Sequence, residues 1–315
     1  MSKYRHNLPQ LGDALFLTDG GIETTLIFLE GHELPYFAAF DLLKTEEGKR
    51  ALRKYYEPYA QIARQHRTGF VLESPTWRAS ADWGVKLGYS AKDIANFNRT
   101  AIALMEDLRK EFETASSPMP ISGCIGPRGD GYDPGRIMSE VEAESYHAGQ
   151  AQVFKETAAD LITAITMTNV NEAVGLTRAA KAAAMPVVIS FTVETDGRLP
   201  SGETLQHAIE AVDNRTEYAP AYYMVNCAHP THFESKLDGG MEWVKRIRGI
   251  RANASHRSHA ELDAATDLDD GNPVELGLQY RAIRQRLGHV NVLGGCCGTD
   301  HRHLAEIAAS NSVAA

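Results

Sequence analysis

The sequence predicts an eight-stranded (β/α) TIM barrel that occupies residues 1–315 as a single domain. The chain alternates short apolar runs with longer amphipathic stretches, and eight of these runs have the character of strands. They are apolar on both faces and rich in β-branched residues, as expected for parallel strands covered by helices. An open doubly wound sheet is the alternative. The first strand-to-helix turn lacks the G-x-G-x-x-G of a dinucleotide site, which favours the barrel.

The predicted strands are short and end at glycine, proline or polar residues. In chain order they cover 14–21, 69–77, 119–127, 161–168, 185–193, 221–227, the second half of 242–255, and 290–297. Glycines close the first strand, and a glycine-rich loop over 128–135 follows the third. The seventh strand has the weakest pattern, because it shares a short segment with a helix. Such spacing leaves room for a helix after nearly every strand.

The predicted helices follow from apolar residues that recur at helical spacing. They cover 46–66, 90–112, a segment that begins at about 139, 171–184, 202–213, the first half of 242–255, 273–288 and 300–310. Ser90 and Asp93 have the spacing of a capping box at the start of the second helix. Pro58 lies inside the first helix, and we expect it to kink or divide that helix, because proline lacks the N–H.

Composition excludes several classes of partner. The net charge is −9, with 32 Lys and Arg scattered among 41 Asp and Glu, so no basic face for nucleic acid is expected. No stretch approaches 18 consecutive apolar residues, so we expect no membrane span. The N-terminus lacks a secretory signal pattern, and four cysteines do not form a disulfide scaffold, which favours the cytoplasm. The sequence carries no signal for the oligomeric state.

In a barrel, the active-site groups lie just after the strands, at their C-terminal ends. Three of the four cysteines fall at such positions, and Cys124 is interpreted as a small packed residue. The candidates on this rim are Asp19, Glu23, Glu73, Trp77, Arg78, Arg128, Asp130, Asn226, Cys227, Cys296 and Cys297.

The cysteines on the rim suggest a zinc site. Zinc favours thiolates, and a catalytic zinc keeps three protein ligands and one open position. Cys227 and the adjacent Cys296 and Cys297 supply three sulfurs from two strand ends. Neighbouring side chains of a strand point to opposite faces, so both members of the pair bind one ion only where the strand breaks into a turn. Glycines at 294–295 and 298 permit that turn. Small buried hydrophobes and a redox pair remain alternatives.

Three thiolates on a zinc ion would make an anionic centre that activates water poorly. Such a centre still takes an incoming thiol into the open position and keeps it as a thiolate, because a coordinating thiol loses its proton. We therefore expect activation of a sulfur nucleophile rather than hydrolysis.

Histidine pairs offer a rival metal site. They are His229 and His232, His256 and His259, and His301 and His303. None forms an H-E-x-x-H pattern, so we interpret them as solvated loop and helix residues. The exception is His229, two residues after Cys227, which could reach the pocket as a donor behind the metal ligands.

The motifs resemble the zinc-dependent homocysteine S-methyltransferases. The matching segments run in order over nearly the whole chain: LTDGGIETTL, GCIGPRGDGY, PVVISFTVETDGRLPSGETL, VNC and GGCCGT. The family's zinc ligands are the Cys of its "NC" and both Cys of its "GGCCG", which correspond to Cys227, Cys296 and Cys297. The resemblance also implies a (β/α) barrel.

The resemblance implies methyl transfer to the zinc-bound thiolate of homocysteine or of a related small thiol or selenol. Donors in the family include S-methylmethionine, S-adenosylmethionine, betaine and methyltetrahydrofolate. A bare barrel without folate or cobalamin modules favours a direct sulfonium donor. The donor cation would favour aromatic faces and carboxylates, for which Trp77, Tyr132, Glu23 and Glu73 are available.

Three positions depart from the family pattern. Thr25 and Ile165 stand where the family has carboxylates, and the second of these helps to bind the homocysteine amino group. Arg78 replaces a neutral amide, and it could bind a carboxylate or pair with Asp82 or Glu73.

The other predicted substrate contacts are Asp19 as an ammonium partner, Thr166 and Asn226.

The departures at Thr25, Ile165 and Arg78 leave the zinc chemistry intact and put the identity of the acceptor in question. One alternative is a zinc-thiolate enzyme of the same fold that acts on another small sulfur or onium metabolite as a demethylase or lyase. The other is a non-enzymatic zinc or redox sensor.

The acidic segment 254–272 is interpreted as a surface loop, with a lid over the pocket as its alternative.

Overall fold

The computed structural model describes residues 2–312 and contains one sheet of nine parallel strands. The strands are β1 Phe16–Leu17, β2 Gly69–Phe70, β3 Leu72–Glu73, β4 Ile121–Ile125, β5 Leu161–Met167, β6 Val187–Thr192, β7 Tyr222–Asn226, β8 Ile247–Ala252 and β9 Val292–Gly295. Their order in the sheet is β2-β1-β9-β8-β7-β6-β5-β4-β3. This order runs once around a ring, so the predicted (β/α) barrel is confirmed.

The ring closes within the predicted second strand, which is interrupted at Val71. The part before the interruption, β2, pairs with β1, and the part after it, β3, pairs with β4. The backbone N–H of Val71 donates to the carbonyl of Leu17 at 2.8 Å, while that of Leu72 donates to Pro120 at 2.9 Å. The chain thus passes from one neighbour to the other, and the nine strands fill eight positions of a closed barrel.

Helices follow the strands around the outside of the barrel. They are α1 Ile22–Thr24, α2 Glu46–Gln65, α3 Ala81–Lys86, α4 Ala91–Phe112, α5 Glu140–Lys155, α6 Val170–Ala182, α7 Leu205–Thr216, α8 Pro230–Phe233, α9 His259–Asp263, α10 Pro273–Arg286 and α11 His301–Asn311. Ser90 and Asp93 form the predicted capping box of α4, and Ser139 caps α5 in the same way with Glu142. The short helix predicted within 242–255 is only a 3₁₀ turn, Val244–Arg246, before β8.

Pro58 does not divide α2, which runs through it as one helix of 20 residues. A proline in a helix removes one backbone hydrogen bond and crowds the preceding turn. The buried face of α2 carries Tyr55, Tyr56 and Tyr59, each at most 2% exposed. The burial of three aromatic side chains contributes several kcal/mol, at about 1.5 to 3 kcal/mol for a large apolar side chain, and holds the helix together across the proline.

The core has two layers, because successive strand residues face opposite sides of the sheet. Leu17, Ile189 and Leu293 pack outward against the helices. Their neighbours Phe16, Val188 and Val292 belong to a separate buried cluster that fills the barrel interior. Within residues 2–312, every helix is too short or too polar to cross a bilayer.

Candidate active site and metal centre

A cavity of about 470 Å³ opens at the C-terminal ends of the strands. Polar and sulfur-bearing side chains from several strand ends line it together with aromatic rings. Nine of the ten predicted site residues lie on its wall: Asp19, Glu23, Glu73, Trp77, Arg78, Thr166, Cys227, Cys296 and Cys297. Ile165 and Tyr132 also line it, whereas Thr25 is buried outside it. The cavity therefore lies where a barrel carries its active site.

Three cysteine sulfurs meet on one side of this cavity. The Sγ atoms of Cys227, Cys296 and Cys297 all lie within 4.8 Å of one another. Cys227 and Cys296 are joined as a disulfide, and Cys297 is a free thiol. Cys124 also lines the cavity but lies outside the cluster. The predicted trio is thus brought together, and reduction of the disulfide would leave three sulfurs in one place.

The Cys296–Cys297 pair reaches the cavity because β9 ends in a tight turn. β9 stops at Gly295, and Gly298 has a φ of +79°, a left-handed conformation that favours glycine. A Cβ on Gly295 would lie 1.9 Å from Oγ1 of Thr299, so no larger residue fits. The turn closes where the hydroxyl of Thr299 donates to the carbonyl of Cys296 at 2.7 Å. Both neighbouring side chains therefore face one cavity, as the glycines predicted.

Cys227 and Thr166 stand opposite each other in left-handed backbone conformations. Their φ values are +52° and +65°, which are uncommon for residues with a Cβ and especially for a β-branched threonine. Their side chains are 3.9 Å apart between Oγ1 and Sγ. Backbone strain of this kind persists only where the surroundings enforce it, and it clusters at functional sites.

Asn226 and Asn253 hold these two residues in place. The Oδ1 of Asn226 accepts from the N–H of Thr166 at 3.0 Å, and its Nδ2 donates to Oγ1 of Thr166 at 2.8 Å. Asn253 donates to the carbonyl of Cys227 at 3.1 Å. Asn226 is fully buried and lies behind the cavity wall, so it positions Thr166. Its predicted direct contact with a substrate has no support in this geometry.

The donor set fits a soft or borderline metal ion once all three cysteines are reduced. Three thiolates with one open position match a catalytic zinc site. Burial raises the pKa of the Cys297 thiol to about 11, and the hydrogen bond from Tyr132 only partly opposes this. A dication would keep these sulfurs deprotonated at neutral pH. Cys227, Cys296 and Cys297 are therefore the residues that could hold the metal.

A buried histidine supports the sulfur cluster from behind. The Nε2 of His259 lies 2.6 Å from the carbonyl oxygen of Cys227, and its Nδ1 lies 3.0 Å from a carboxylate oxygen of Glu194. Its ring stacks on Tyr132 with centroids 3.9 Å apart, and the Tyr132 hydroxyl lies 3.3 Å from Sγ of Cys297. Outer contacts of this kind orient metal ligands. In the sequence, His259 belongs only to an HRSH pattern, whose spacing indicates no role.

The interpretation of the histidines as solvated is wrong for two of them. His259 is 5% exposed, and His303 is fully buried beside Asp300. The possibility that His229 reaches the pocket is not realised, since it forms the N-cap of α8 with its Nδ1 at Thr231. Burial lowers the pKa of His229 to about 4, so it is a neutral structural group.

A buried ion pair in the cavity wall, between Asp19 and Arg251, was not predicted from the sequence. Arg251 donates to Asp19 at 2.7 Å, and the hydroxyl of Tyr55 donates to the other oxygen of Asp19 at 3.0 Å. Burial raises the pKa of Asp19, and the charge of Arg251 opposes the rise. Because both oxygens of Asp19 already have partners, its predicted role as an ammonium partner is weakened. Arg251 is the fifth of the six residues of β8, and its sequence context carries no motif.

Two further carboxyl groups face the cavity, and within residues 2–312 neither has a direct cation partner. Burial raises the pKa of both Glu23 and Glu73 to about 7. The charge of Arg251 pulls the pKa of Glu73 down but does not offset the burial. At neutral pH each group is divided between acid and carboxylate, so a cationic ligand would favour the charged form.

Arg78 is held between two indole rings. Its guanidinium carbon lies 4.6 Å from the ring centroid of Trp77 and 3.8 Å from that of Trp83. Its ion-pair partner is Asp130 at 3.5 Å. The alternative of a pairing with Asp82 or Glu73 is not formed, because Asp82 instead pairs with Arg128 at 2.8 Å.

The acidic segment 254–272 forms part of the cavity wall. Leu262 and Asp263 of α9, with Asp267 and Asp269 beyond it, line the cavity. His259 anchors the start of α9 to Cys227 and Glu194. The interpretation of this segment as a plain surface loop is therefore wrong, and the alternative of a cover over the pocket describes its position.

Solved structures share this fold over nearly their whole length. The oxidised form of the homocysteine methyltransferase MmuM from Escherichia coli has a TM-score of 0.75 and 17% identity, with 98% of this chain and 99% of that chain covered. The metallated form has a TM-score of 0.74 and 16% identity, with 96% and 98% covered. At these identities the likeness concerns the fold alone.

The family is shown by a match over the sequence itself. The homocysteine S-methyltransferase family model matches residues 16–310. The match includes every strand of the barrel and all three clustered cysteines. The chain therefore belongs to the homocysteine S-methyltransferase family and is a methyltransferase.

Proposed function

We propose that this protein transfers a methyl group from an onium donor to the zinc-bound thiolate of homocysteine or of a related small thiol or selenol. S-methylmethionine and S-adenosylmethionine are the favoured donors. The observation that carries the proposal is the trio of sulfurs within 4.8 Å at the cavity wall, in a chain of this family. Among the solved structures with this fold, one is the metallated form of MmuM, which agrees with a metal in this fold.

The metal would supply one thing, which is an acceptor sulfur held as a thiolate at neutral pH. The chain's own residues would do the rest by positioning and desolvation, since attack on an onium carbon needs little acid–base help. Thr166 and Cys227, held by Asn226 and Asn253, form the rigid wall beside the acceptor. Proton transfer has no assigned residue in this proposal.

Aromatic rings and carboxyl groups would bind the positive charge of the donor. Trp77 and Tyr132 line the cavity with aromatic rings, and Glu23 and Glu73 line it with carboxyl groups. A cation is attracted to both kinds of group when water is excluded. Because the pKa of each glutamate is about 7, a bound onium cation would stabilise the carboxylate form.

With homocysteine as acceptor the product is methionine, so the reaction would serve methionine biosynthesis. Three free thiolates persist in a reducing compartment, which supports a cytoplasmic location. The partners are then a small-molecule donor and a small-molecule acceptor.

The test combines metal content with product formation. Wild-type protein, Cys296→Ser and the control Cys124→Ser are purified under reducing conditions, and zinc is measured by mass spectrometry. Each is then incubated with S-methylmethionine and homocysteine, and methionine is quantified. We expect one zinc and methionine in the wild type and control, and loss of both in Cys296→Ser. Cys124 is buried outside the cluster, so its substitution separates metal binding from packing.

Two other results would redirect the assignment. Absence of zinc from the reduced wild-type protein would overturn the proposed metal site. Zinc without methionine would reject this donor and acceptor pair and favour a demethylase or lyase reaction. A redox sensor built on the adjacent pair alone would survive Cys227→Ser, whereas a three-sulfur site would lose its metal.

A further inference from the structure

Arg78 is a buried cation whose donors are not all used. Its side chain is 10% exposed, and its Nε–H has no acceptor within residues 2–312. Within residues 2–312 its single ion-pair partner is Asp130, at 3.5 Å and half exposed to solvent, and the charge of Glu23 acts on it from farther away. A guanidinium offers five donors in a planar fork that matches a carboxylate, and a buried donor left without a partner costs free energy. The site around Arg78 is therefore built for an acceptor that the protein does not supply.

A short path of contacts leads from Arg78 to the sulfur cluster. Arg78 stacks on Trp77, whose Nε1–H donates to the carbonyl of Ile165 at 3.3 Å. The Trp77 ring and the Thr166 methyl group flank Gly131, where a Cβ would lie 3.0 Å and 3.2 Å from them. Thr166 in turn contacts Sγ of Cys227. Arg78 thus stands on the same wall as the cysteines, separated from them by an indole and a threonine.

The side of this wall next to Thr166 offers nothing to an ammonium group. Ile165 is 7% exposed and packs with Cys124 and Val188 in the apolar interior cluster. Its carbonyl oxygen already accepts from Trp77. The carboxylate of Asp19 is occupied by Arg251 and Tyr55, as described above. An ammonium placed here would lose its hydration without a full set of acceptors in return.

We infer that Arg78 binds the carboxylate of the thiol acceptor, and that this contact selects the acceptor without recognition of an α-ammonium group. The site then takes ω-mercaptocarboxylates that lack the amino group as well as homocysteine. The inference rests on the proposed function, because it assigns the far end of the acceptor whose sulfur the metal would hold.

The test uses three thioethers that differ only in their charged groups. They are methionine, 4-(methylthio)butyrate, which lacks the ammonium, and 3-(methylthio)propylamine, which lacks the carboxylate. Isothermal titration of zinc-loaded protein gives their dissociation constants without donor or turnover. We expect 4-(methylthio)butyrate to bind at least as tightly as methionine. The amine is expected to bind about 10- to 100-fold more weakly, as loss of hydrogen bonds to a charged group implies.

Variants assign the difference to Arg78. Arg78→Gln should weaken the binding of both carboxylate ligands by about 10- to 100-fold and leave the affinity for the amine unchanged. Arg128→Gln is the matched control, because Arg128 pairs with Asp82 and lies outside the cavity wall. Its affinities should equal those of the wild type. Ile165→Glu should improve binding of the amine and of methionine relative to 4-(methylthio)butyrate.

Either of two results would overturn the inference. One is methionine binding at least about tenfold more tightly than 4-(methylthio)butyrate in the wild type, since this would show ammonium recognition. The other is unchanged carboxylate affinity in Arg78→Gln. If that variant does not fold, the wild-type ligand series alone decides. Binding that follows Arg78 in a protein that transfers no methyl group would refute the proposed function and leave this assignment intact.

Discussion

Glu73 is a carboxyl group whose burial should make the stability of the protein depend on pH. It is 4% exposed, and its Oε2 has no hydrogen-bond partner in the described part of the chain. Its pKa is raised from 4.5 to about 7 in the folded state. A folded pKa above the unfolded one means that the folded state binds more protons between these values. Stability from this group is therefore full below pH 4.5 and is lost as pH rises through 7.

The size of the loss follows from the shift in pKa. One pKa unit corresponds to 1.36 kcal/mol, so a shift from 4.5 to about 7 amounts to about 3 kcal/mol. Glu73→Gln cannot ionise and escapes this loss. The free energy of unfolding of the variant minus that of the wild type should therefore rise by about 3 kcal/mol between pH 4 and pH 8.

Urea denaturation at a series of pH values measures this difference directly. The matched control is Glu47→Gln, because Glu47 is an exposed glutamate in the first turn of α2. The control and the wild type should differ by an amount that changes little with pH. A Glu73→Gln difference as flat as that of the control would show that Glu73 is ionised in the folded protein at neutral pH. The reasoning from burial would then be wrong.

Three further predictions concern the site. Arg251→Met should lower the free energy of unfolding by about 3 to 5 kcal/mol in urea denaturation, because it leaves Asp19 buried without its cation. Adding Asp19→Asn should recover part of that loss. His259→Ala should weaken zinc affinity about 10- to 100-fold in chelator competition. His229→Ala should not, because His229 caps α8 and is not among the residues that line the cavity. The KM for an onium donor should fall from pH 6 to pH 8 as Glu23 ionises, and a flat profile in Glu23→Gln would confirm the cause.

The sequence predicts the barrel well because its signals are local. Strands that are apolar on both faces, glycines after them and the capping box at Ser90 each depend on a few neighbouring residues. The split at Val71 could not be predicted, because it arises from closure of the ring between β2 and β3. The continuity of α2 through Pro58 was missed for a similar reason, since the tyrosines that hold it pack against distant strands.

Within the site, the residues predicted with motifs were brought together, and those without motifs were missed. Cys227 and the adjacent pair were identified because sulfur is scarce and their places on the rim are distinctive. Arg251 and His259 act through a partner more than 30 residues away, so no spacing reveals them. The pairing of Arg78 also depends on the tertiary structure, since Asp130 lies 52 positions later in the chain and other acidic residues are nearer in the sequence.

The three sulfurs come from two strands that lie on either side of β8. Cys227 follows β7, while Cys296 and Cys297 follow β9, which lies between β8 and β1. A nascent chain in which β7 has left the ribosome and β9 has not carries only one of the three ligands. Its β1 still lacks β9 as a neighbour in the sheet. A bound ion would therefore link β9, the C-terminal strand, to β7, which precedes it in the chain and lies on the other side of β8. Metal loading would then depend on completed folding, because only a chain in which β9 lies beside β8 brings the three ligands together.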